Sequence, residues 1–206
     1  MSGRGYEASK RAFDVVAAAA IGVLAAPLLA AIAVAVKLED GGRVLFRQER
    51  IGWRGQPFEI VKFRTLVDAP AHDPADYLIS SQDPRITRVG AFLRRWSLDE
   101  LPQLWNVLVG DMSIIGPRPT LRYQVDRYDS FQRRRLEVRP GVTGWAQVAG
   151  RNQLPWPARI ELDVWYVDHR SVSLDLRILA LTVPQLFHRE SVYNDAQGDW
   201  GESERG

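Results

Sequence analysis

The chain has 206 residues, 46% of them hydrophobic and none of them cysteine, so it can build one domain with its own core but neither a disulfide framework nor a thiolate metal site. Its 27 Lys and Arg against 25 Asp and Glu leave a formal charge of +2. Acids and bases are interleaved along the sequence, which excludes the long basic tract of a nucleic-acid tail.

The first element is an apolar segment, Val15 to Val36, without a charge and interrupted only by Gly22 and Pro27. As a helix it would rise ~33 Å at 1.5 Å per residue, about the thickness of a bilayer's hydrocarbon core. Pro27 lies just past its middle, where a proline removes a backbone donor and clashes with the preceding turn. The leg from Val15 to Ala26 then reaches only ~18 Å, about one leaflet. Basic residues mark the cytoplasmic side, and both flanks are basic: Lys10 and Arg11 before, Lys37, Arg43 and Arg47 after. The expectation is a re-entrant helix over residues 10–37 that bends at Ala26-Pro27 and leaves on the face it entered. A signal peptide, a straight spanning helix and a buried core helix are the competing readings.

Residues 1–9 are expected to be flexible, 38–190 to form a small cytosolic α/β catalytic domain, and 191–206 to be a disordered polar tail. Within the domain, Arg43 to Glu49 and Pro57 to Phe63 flank Gly52-Trp53-Arg54-Gly55 and predict a β-hairpin. Asp68 to Asp76 reads as a loop. Ile86 to Trp96 predicts an amphipathic helix, and Pro102 to Val109 a second one stopped by Gly110. Gly116-Pro117-Arg118-Pro119 predicts a rigid turn, Tyr123 to Leu136 a polar Arg-rich helix, and Arg139 to Asn152 loop with a short strand. Leu174 to Phe187 predicts an apolar helix interrupted at Pro184. The whole is α/β and mainly helical.

Chemistry centres on Ser97-Leu98-Asp99-Glu100-Leu101-Pro102-Gln103-Leu104. A proline is tolerated in the first helical turn, whose N–H groups have no intrahelical partner. This favours Asp99 as the N-cap, with a Ser97–Glu100 capping box as the alternative. Either arrangement puts adjacent carboxylates at the positive end of a helix, pointing in different directions and open to two roles. Arg94 and Arg95 lie just upstream, and Arg118 and Arg139 sit in turns stiffened by Pro and Gly, where guanidinium forks suit phosphate oxygens. Two carboxylates without Cys or a His cluster suit Mg²⁺ (or Mn²⁺), completed by substrate phosphates.

The chain resembles the bacterial sugar transferase family, the monotopic phosphoglycosyl transferases. The resemblance rests on Lys10-Arg11-x-x-Asp14, Pro27, Gln48-Glu49-Arg50-Ile51-Gly52, Lys62-Phe63-Arg64-Thr65 and Arg94-Arg95-x-Ser97-Leu98-Asp99-Glu100-Leu101-Pro102-Gln103-Leu104-x-Asn106-Val107. It continues through Gly110-Asp111-Met112-Ser113, Gly116-Pro117-Arg118-Pro119, Arg139-Pro140-Gly141-Val142-Thr143-Gly144-Trp145-Ala146-Gln147 and Gly150-Arg151-Asn152. The motifs keep their order over about residues 10 to 185. One departure is Ala26, where the family usually carries Ser before the membrane proline.

The resemblance implies transfer of a sugar-1-phosphate from a UDP-sugar to undecaprenyl phosphate, with release of UMP, at the cytoplasmic face of a bacterial inner membrane. It implies that Asp99 is the nucleophile, that Glu100 holds Mg²⁺, and that Lys62, Arg94, Arg118, Gln147 and Arg151 contact substrate. Trp156, Trp165, Tyr166 and the helix from Leu174 lie either in the membrane interface or in the core. No nucleic acid is expected as partner, and a homodimer stays open. Two other classes compete: a tethered module that binds anions without chemistry, and a UDP-sugar hydrolase.

Overall fold

The computed structural model describes residues 3–67, 83–150 and 154–187. The expected loop at 68–76, Arg151, Asn152 and the polar tail lie outside the described residues. Helix α1 runs from Gly3 to Asp40, 38 residues with Pro27 inside, which is ~57 Å of helical rise. It is long and apolar enough to cross a membrane. Residues 3–9 were expected to be flexible and instead begin α1. The cause is local: Tyr6 is buried and donates to Asp175 Oδ2 at 2.8 Å, and Lys10 reaches the same oxygen at 3.0 Å.

Both ends of α1 are fastened to the domain. Near its start, Arg11 donates to the carbonyls of Val107 and Leu108 at 2.7 and 3.0 Å. Buried Asp14 accepts from Ser113 Oγ and the Ile114 N–H, each at 3.0 Å. At its end, Glu39 Oε1 accepts from the N–H groups of Arg88 and Val89 at 2.7 and 3.2 Å, the positive pole of the next helix. Asp40 pairs with Arg64. Asp14, Ala18, Ile32 and Val36 are buried and fall within ~40° of one another on an ideal helical wheel. One face of α1 therefore meets the domain, while Val23, Leu24 and Leu28 stay exposed.

The predicted hairpin is present: β1 (Leu45–Ile51) pairs antiparallel with β2 (Pro57–Phe63), Phe46 opposite Lys62. Its turn needs left-handed backbone at Arg54 and Gly55 (φ 57° and 74°). Helix α2 (Arg88–Arg95) is capped by Thr87, whose side chain accepts from the Gly90 N–H. Gly90 is required by packing, since a Cβ there would lie 2.2 Å from the Thr65 carbonyl oxygen. A 3-10 turn at Leu98–Glu100 leads into α3 (Gln103–Val109), which ends at left-handed Gly110.

Strand β3 (Ser113–Ile115) pairs in parallel with β4 (Gly141–Thr143). The two ends cross so closely that a Cβ on Gly144 would sit 2.1 Å from the Gly116 carbonyl oxygen. Between these strands the expected helix over Tyr123–Leu136 is in two pieces, α4 (Arg122–Asp126) and a 3-10 turn at Gln132–Glu137. Asp129 and Gln132 cap each other's backbone N–H, at 2.8 and 3.1 Å, and so start a new turn. The expected loop after β4 contains α5 (Trp145–Gly150).

Helix α6 (Trp156–His169), unforeseen in the sequence, follows Pro155 at its cap. Helix α7 (Val172–Phe187) is not interrupted by Pro184, which lies in its final turn. A proline there frees only the carbonyl of Ala180, and the neighbouring Gln185 is anchored to the Val148 carbonyl at 2.9 Å. The main core gathers Ala18 of α1, Ile60 of β2, Leu104 and Val107 of α3, Tyr166 of α6 and Ile178 of α7. Tyr166 is thus a core residue, its hydroxyl bonded to Asp175 at 2.8 Å, while Trp165 beside it is partly exposed.

Asp14→Ala leaves the buried Ile114 N–H without an acceptor. It should destabilise the protein by about 1–3 kcal/mol, read as a fall of several degrees in the melting midpoint in detergent, and an unchanged midpoint would remove Asp14 from the clamp.

Candidate active site

Three segments distant in sequence meet at Glu100. The first is β2. Asn106, buried on α3, accepts from the Val61 N–H with Oδ1 (3.1 Å) and donates to the Glu59 carbonyl with Nδ2 (2.7 Å). Its amide thus pairs the open edge of β2 as a further strand would. This bolts β2 to α3 and holds Lys62 beside the turn that precedes α3.

The second is that turn. Ser97 takes a left-handed conformation (φ 53°, ψ 23°) that reverses the chain after α2, and it makes no capping bond. Pro102 occupies the N-cap position of α3. The expectation that Asp99 caps this helix is therefore corrected. Leu98 to Glu100 already form a turn of their own, closed by the Leu101 N–H on the Leu98 carbonyl at 3.3 Å. Pro102, with φ of −61°, carries the right-handed backbone on without needing a donor. Asp99 is buried, and its Oδ1 has no hydrogen-bond partner among the described residues. Gln103 Nε2, one turn on, is likewise buried and unpartnered among them.

The third is the loop of Pro117 and Pro119. Arg118 Nη2 donates to Glu100 Oε1 at 2.7 Å, and Lys62 Nζ donates to the same oxygen at 2.8 Å. The Lys62 side chain is 18% exposed and that of Arg118 46%. One cation is therefore shielded and the other still faces solvent.

These placements split the two carboxyl groups. Burial alone would raise Glu100, but the charges of Arg118 and Lys62 outweigh it and hold the group well below the usual glutamate range. Burial raises Asp99, the adjacent Glu100 charge raises it further, and Lys62, Arg94 and Arg118 oppose both. Lys62 is pushed below the ordinary lysine value by burial, against the pull of Glu100. Arg118 is held above its ordinary value, chiefly by Glu100. Glu100 is thus a pinned anion, and Asp99 a carboxyl whose charge costs energy and is open to reaction.

Of the expected substrate contacts, Lys62 and Arg118 bond directly to Glu100, and Arg94 is near enough for its charge to act on Asp99. Gln147 is not brought to this cluster by its amide: Nε2 donates to the Val142 carbonyl at 3.1 Å, and Oε1 is buried without a partner among the described residues. Arg151 lies outside the described residues. No cluster of three or more metal-binding side chains occurs among the described residues. What is present, Glu100 beside an unpartnered buried oxygen of Asp99, fits an ion that takes one or two carboxylates and completes its shell with phosphates.

The sequence reading missed Asn106 as the bolt on β2, and it missed Arg135 and Asp163. Arg135 falls in the stretch predicted as a polar Arg-rich helix, yet it is 3% exposed and ion-paired with Asp163, also 3% exposed. The available signal was Asp163 inside the apolar run Leu162 to Val167, because a charge there calls for a buried partner.

A carboxylate set among fixed cations thus lies on a domain clamped along a membrane-length helix. The profile of the bacterial sugar transferase family matches residues 5–189, and the chain belongs to that family. It is 44% identical over 183 residues to an uncharacterized sugar transferase, EpsL, of Bacillus subtilis strain 168, covering 89% of each chain. It is 40% identical over 190 residues to the exopolysaccharide production protein ExoY of Rhizobium meliloti strain 1021, covering 85% of this chain and 84% of that one. It is 43% identical over 192 residues to the UDP-glucose:undecaprenyl-phosphate glucose-1-phosphate transferase of Escherichia coli K12, covering 89% of this chain and 41% of that one.

The split between the carboxyls has opposite consequences for stability. The folded value of Asp99 is raised, so its ionisation opposes folding at neutral pH, and Asp99→Asn should melt no lower than the parent at pH 7. Any gain should shrink as the pH falls through the raised value. The folded value of Glu100 is depressed, so its contribution is fully present above the unfolded value of about 4.3 and is lost as the pH falls through the folded value. Glu100→Gln should therefore melt below the parent at pH 7. Melting curves of both variants across pH check the assignment, and the reverse order at pH 7 would contradict it.

Proposed function

We propose that this protein transfers a sugar-1-phosphate from a UDP-sugar to undecaprenyl phosphate and releases UMP, through a covalent phosphosugar on Asp99. The name of the Escherichia coli relative states both substrate types for that protein, and that of the Rhizobium relative refers to exopolysaccharide production. For this chain the reaction would be an early membrane step in making a surface glycan. The observation that carries the reading is the inequality of the carboxyls: both charged neighbours bond to Glu100, while Oδ1 of Asp99 has no partner among the described residues.

In the first step a carboxylate oxygen of Asp99 forms a bond to the sugar-linked phosphorus. The bridging P–O bond to the other phosphate breaks, and UMP leaves with its electron pair. In the second step an oxygen of the lipid phosphate attacks the same phosphorus. The Asp99–phosphorus bond breaks, and the carboxylate is regenerated. Two displacements with one covalent intermediate give ping-pong kinetics. Lys62, Arg94 and Arg118 set positive charge around the phosphates and lower the repulsion between them and the anionic nucleophile. Glu100, with Asp99 beside it, would hold Mg²⁺ or Mn²⁺, which would supply further charge neutralisation at the diphosphate.

The reading extends to topology: α1 enters and leaves the membrane on the cytoplasmic face. Support comes from its two ends. Lys10, Arg11 and Asp14 bond the domain at one end and Glu39 and Asp40 at the other. A helix crossing to the far side would carry one of these ends away. The exposed Val172, Leu176 and Val183 of α7, with Trp165, suit the interface.

A screen of UDP-sugars with undecaprenyl phosphate and Mg²⁺ should find UMP release with at least one donor. Asp99→Asn should abolish it while remaining folded, Glu100→Gln should impair it severely, and chelation should stop it. Turnover by Asp99→Asn near the parent's would sink the covalent assignment, full activity after exhaustive chelation would remove the metal, and release independent of lipid would point to a hydrolase.

For topology, single cysteines placed near Ser2 and Ser203 in this Cys-free chain should both resist an impermeant reagent in intact cells. Pro27→Ala should expose part of the population at the first site. Labelling of that site without the Pro27 change would defeat the re-entrant reading.

A further inference from the structure

We propose that Arg135 is a positioning residue for Arg118: paired with Asp163 in the interior, it fixes the Arg118 backbone so that its guanidinium is aimed at Glu100 and the substrate diphosphate. The inference rests on the proposed function for the identity of the substrate, and on contacts in the structure for everything else.

Arg135 Nη2 donates to the Arg118 carbonyl at 3.0 Å and bonds to Asp163 Oδ2; Nη1 donates to the Tyr128 hydroxyl at 2.6 Å. The guanidinium carbon lies 5.7 Å from the Tyr128 ring centroid and 5.5 Å from that of Trp156, within cation–π range. Both terminal nitrogens of this planar group are engaged, and both members of the ion pair are buried. Such a pair is a poor way to gain stability, because desolvating two charges costs several kcal/mol per ion and apolar residues of like volume often do as well or better. What it offers here is a fixed donor at a chosen carbonyl.

That carbonyl lies between two others of the Pro117–Thr120 loop that backbone amides hold. The Pro117 carbonyl accepts from the Gly141 N–H at 2.9 Å, and the Thr120 carbonyl accepts from the Ile51 N–H at 2.8 Å. Both are backbone contacts to strands. Between them the Arg118 carbonyl is bonded by the Arg135 side chain. Pro117 and Pro119 restrict φ on either side of Arg118, and Arg135 sets how the peptide between them is turned. The Arg118 side chain then reaches Glu100. A misplacement of about 1 Å at a reacting group can cost on the order of a hundredfold in rate.

The test separates positioning from bulk stability. Arg135→Met alone leaves Asp163 as an unpaired buried charge and should lower the melting midpoint sharply. The double variant Arg135→Met/Asp163→Leu removes both charges, and its midpoint should return to near the parent's. Its UMP release should nevertheless stay about tenfold to a hundredfold down, mainly in kcat, and Arg135→Lys with Asp163 intact should recover part of the rate. Arg118→Ala should cost the parent far more activity than it costs the double variant, because Arg118 is already misaimed there. Recovery of full UMP release together with stability would reduce the pair to a structural role and overturn the proposal. So would an Arg118→Ala penalty equal in both backgrounds.

A second readout needs no chemistry. Arg118→Ala should lower the melting midpoint more in the parent than in the double variant, since only the parent holds Arg118 on Glu100, and equal drops would overturn the proposal. If the parent releases no UMP from any UDP-sugar, the functional reading fails while this comparison still decides the positioning claim.

Discussion

Glu100 Oε1 accepts one hydrogen bond from Lys62 and another from Arg118, and this shared oxygen organises the domain. It joins the hairpin, the turn before α3 and the Pro117–Pro119 loop, none of which is adjacent to another in sequence. Each arm is held in place by a side chain that touches no part of the carboxylate pair. Asn106 bolts β2 to α3, and Arg135 holds the carbonyl of Arg118. With both cations committed to Glu100, the neighbouring Asp99 is left to carry its charge in a buried place. Two identical functional groups, adjacent in sequence, thereby acquire different chemistry from their surroundings alone.

Helix α1 belongs to the same construction. Arg11 takes the last carbonyls of α3, and Asp14 fixes the start of β3, the strand that leads into the Arg118 loop. At the far end Glu39 closes the N-terminus of α2, the helix that leads into the Asp99 turn. The segment that would enter the membrane thus also orders both approaches to the site. Under the proposed topology one element would set both the height above the lipid surface and the geometry of the carboxylates, which suits the proposed reaction between a soluble nucleotide sugar and a phosphate anchored in the bilayer.

Much of this was legible from local signals. The turn residues between two β-rich runs placed the hairpin to within two residues, Gly110 stopped α3, and adjacent Asp99 and Glu100 before Pro102 marked the site. Those features depend on φ/ψ preferences and on neighbours in sequence. The missed features depend on partners far along the chain. Asp99 resembled a helix cap because Pro102 restricts where a helix starts, but a separate 3-10 turn meets the same restriction. Arg135 looked like one more surface arginine, since nothing in Arg133-Arg134-Arg135 tells which of them faces Asp163. The continuity of α7 through Pro184 followed from the proline's position in the last turn, where it disturbs little.

The central claim is that Asp99, set apart from the pinned Glu100, takes the phosphosugar before the lipid arrives. Isotope exchange tests this most directly. Labelled UMP is incubated with a turnover-competent UDP-sugar and Mg²⁺, with no polyprenyl phosphate present. Label should pass into the UDP-sugar with the parent protein and not with Asp99→Asn. If a preparation that turns over fully with lipid shows no exchange without it, the two substrates react directly and the covalent account is wrong.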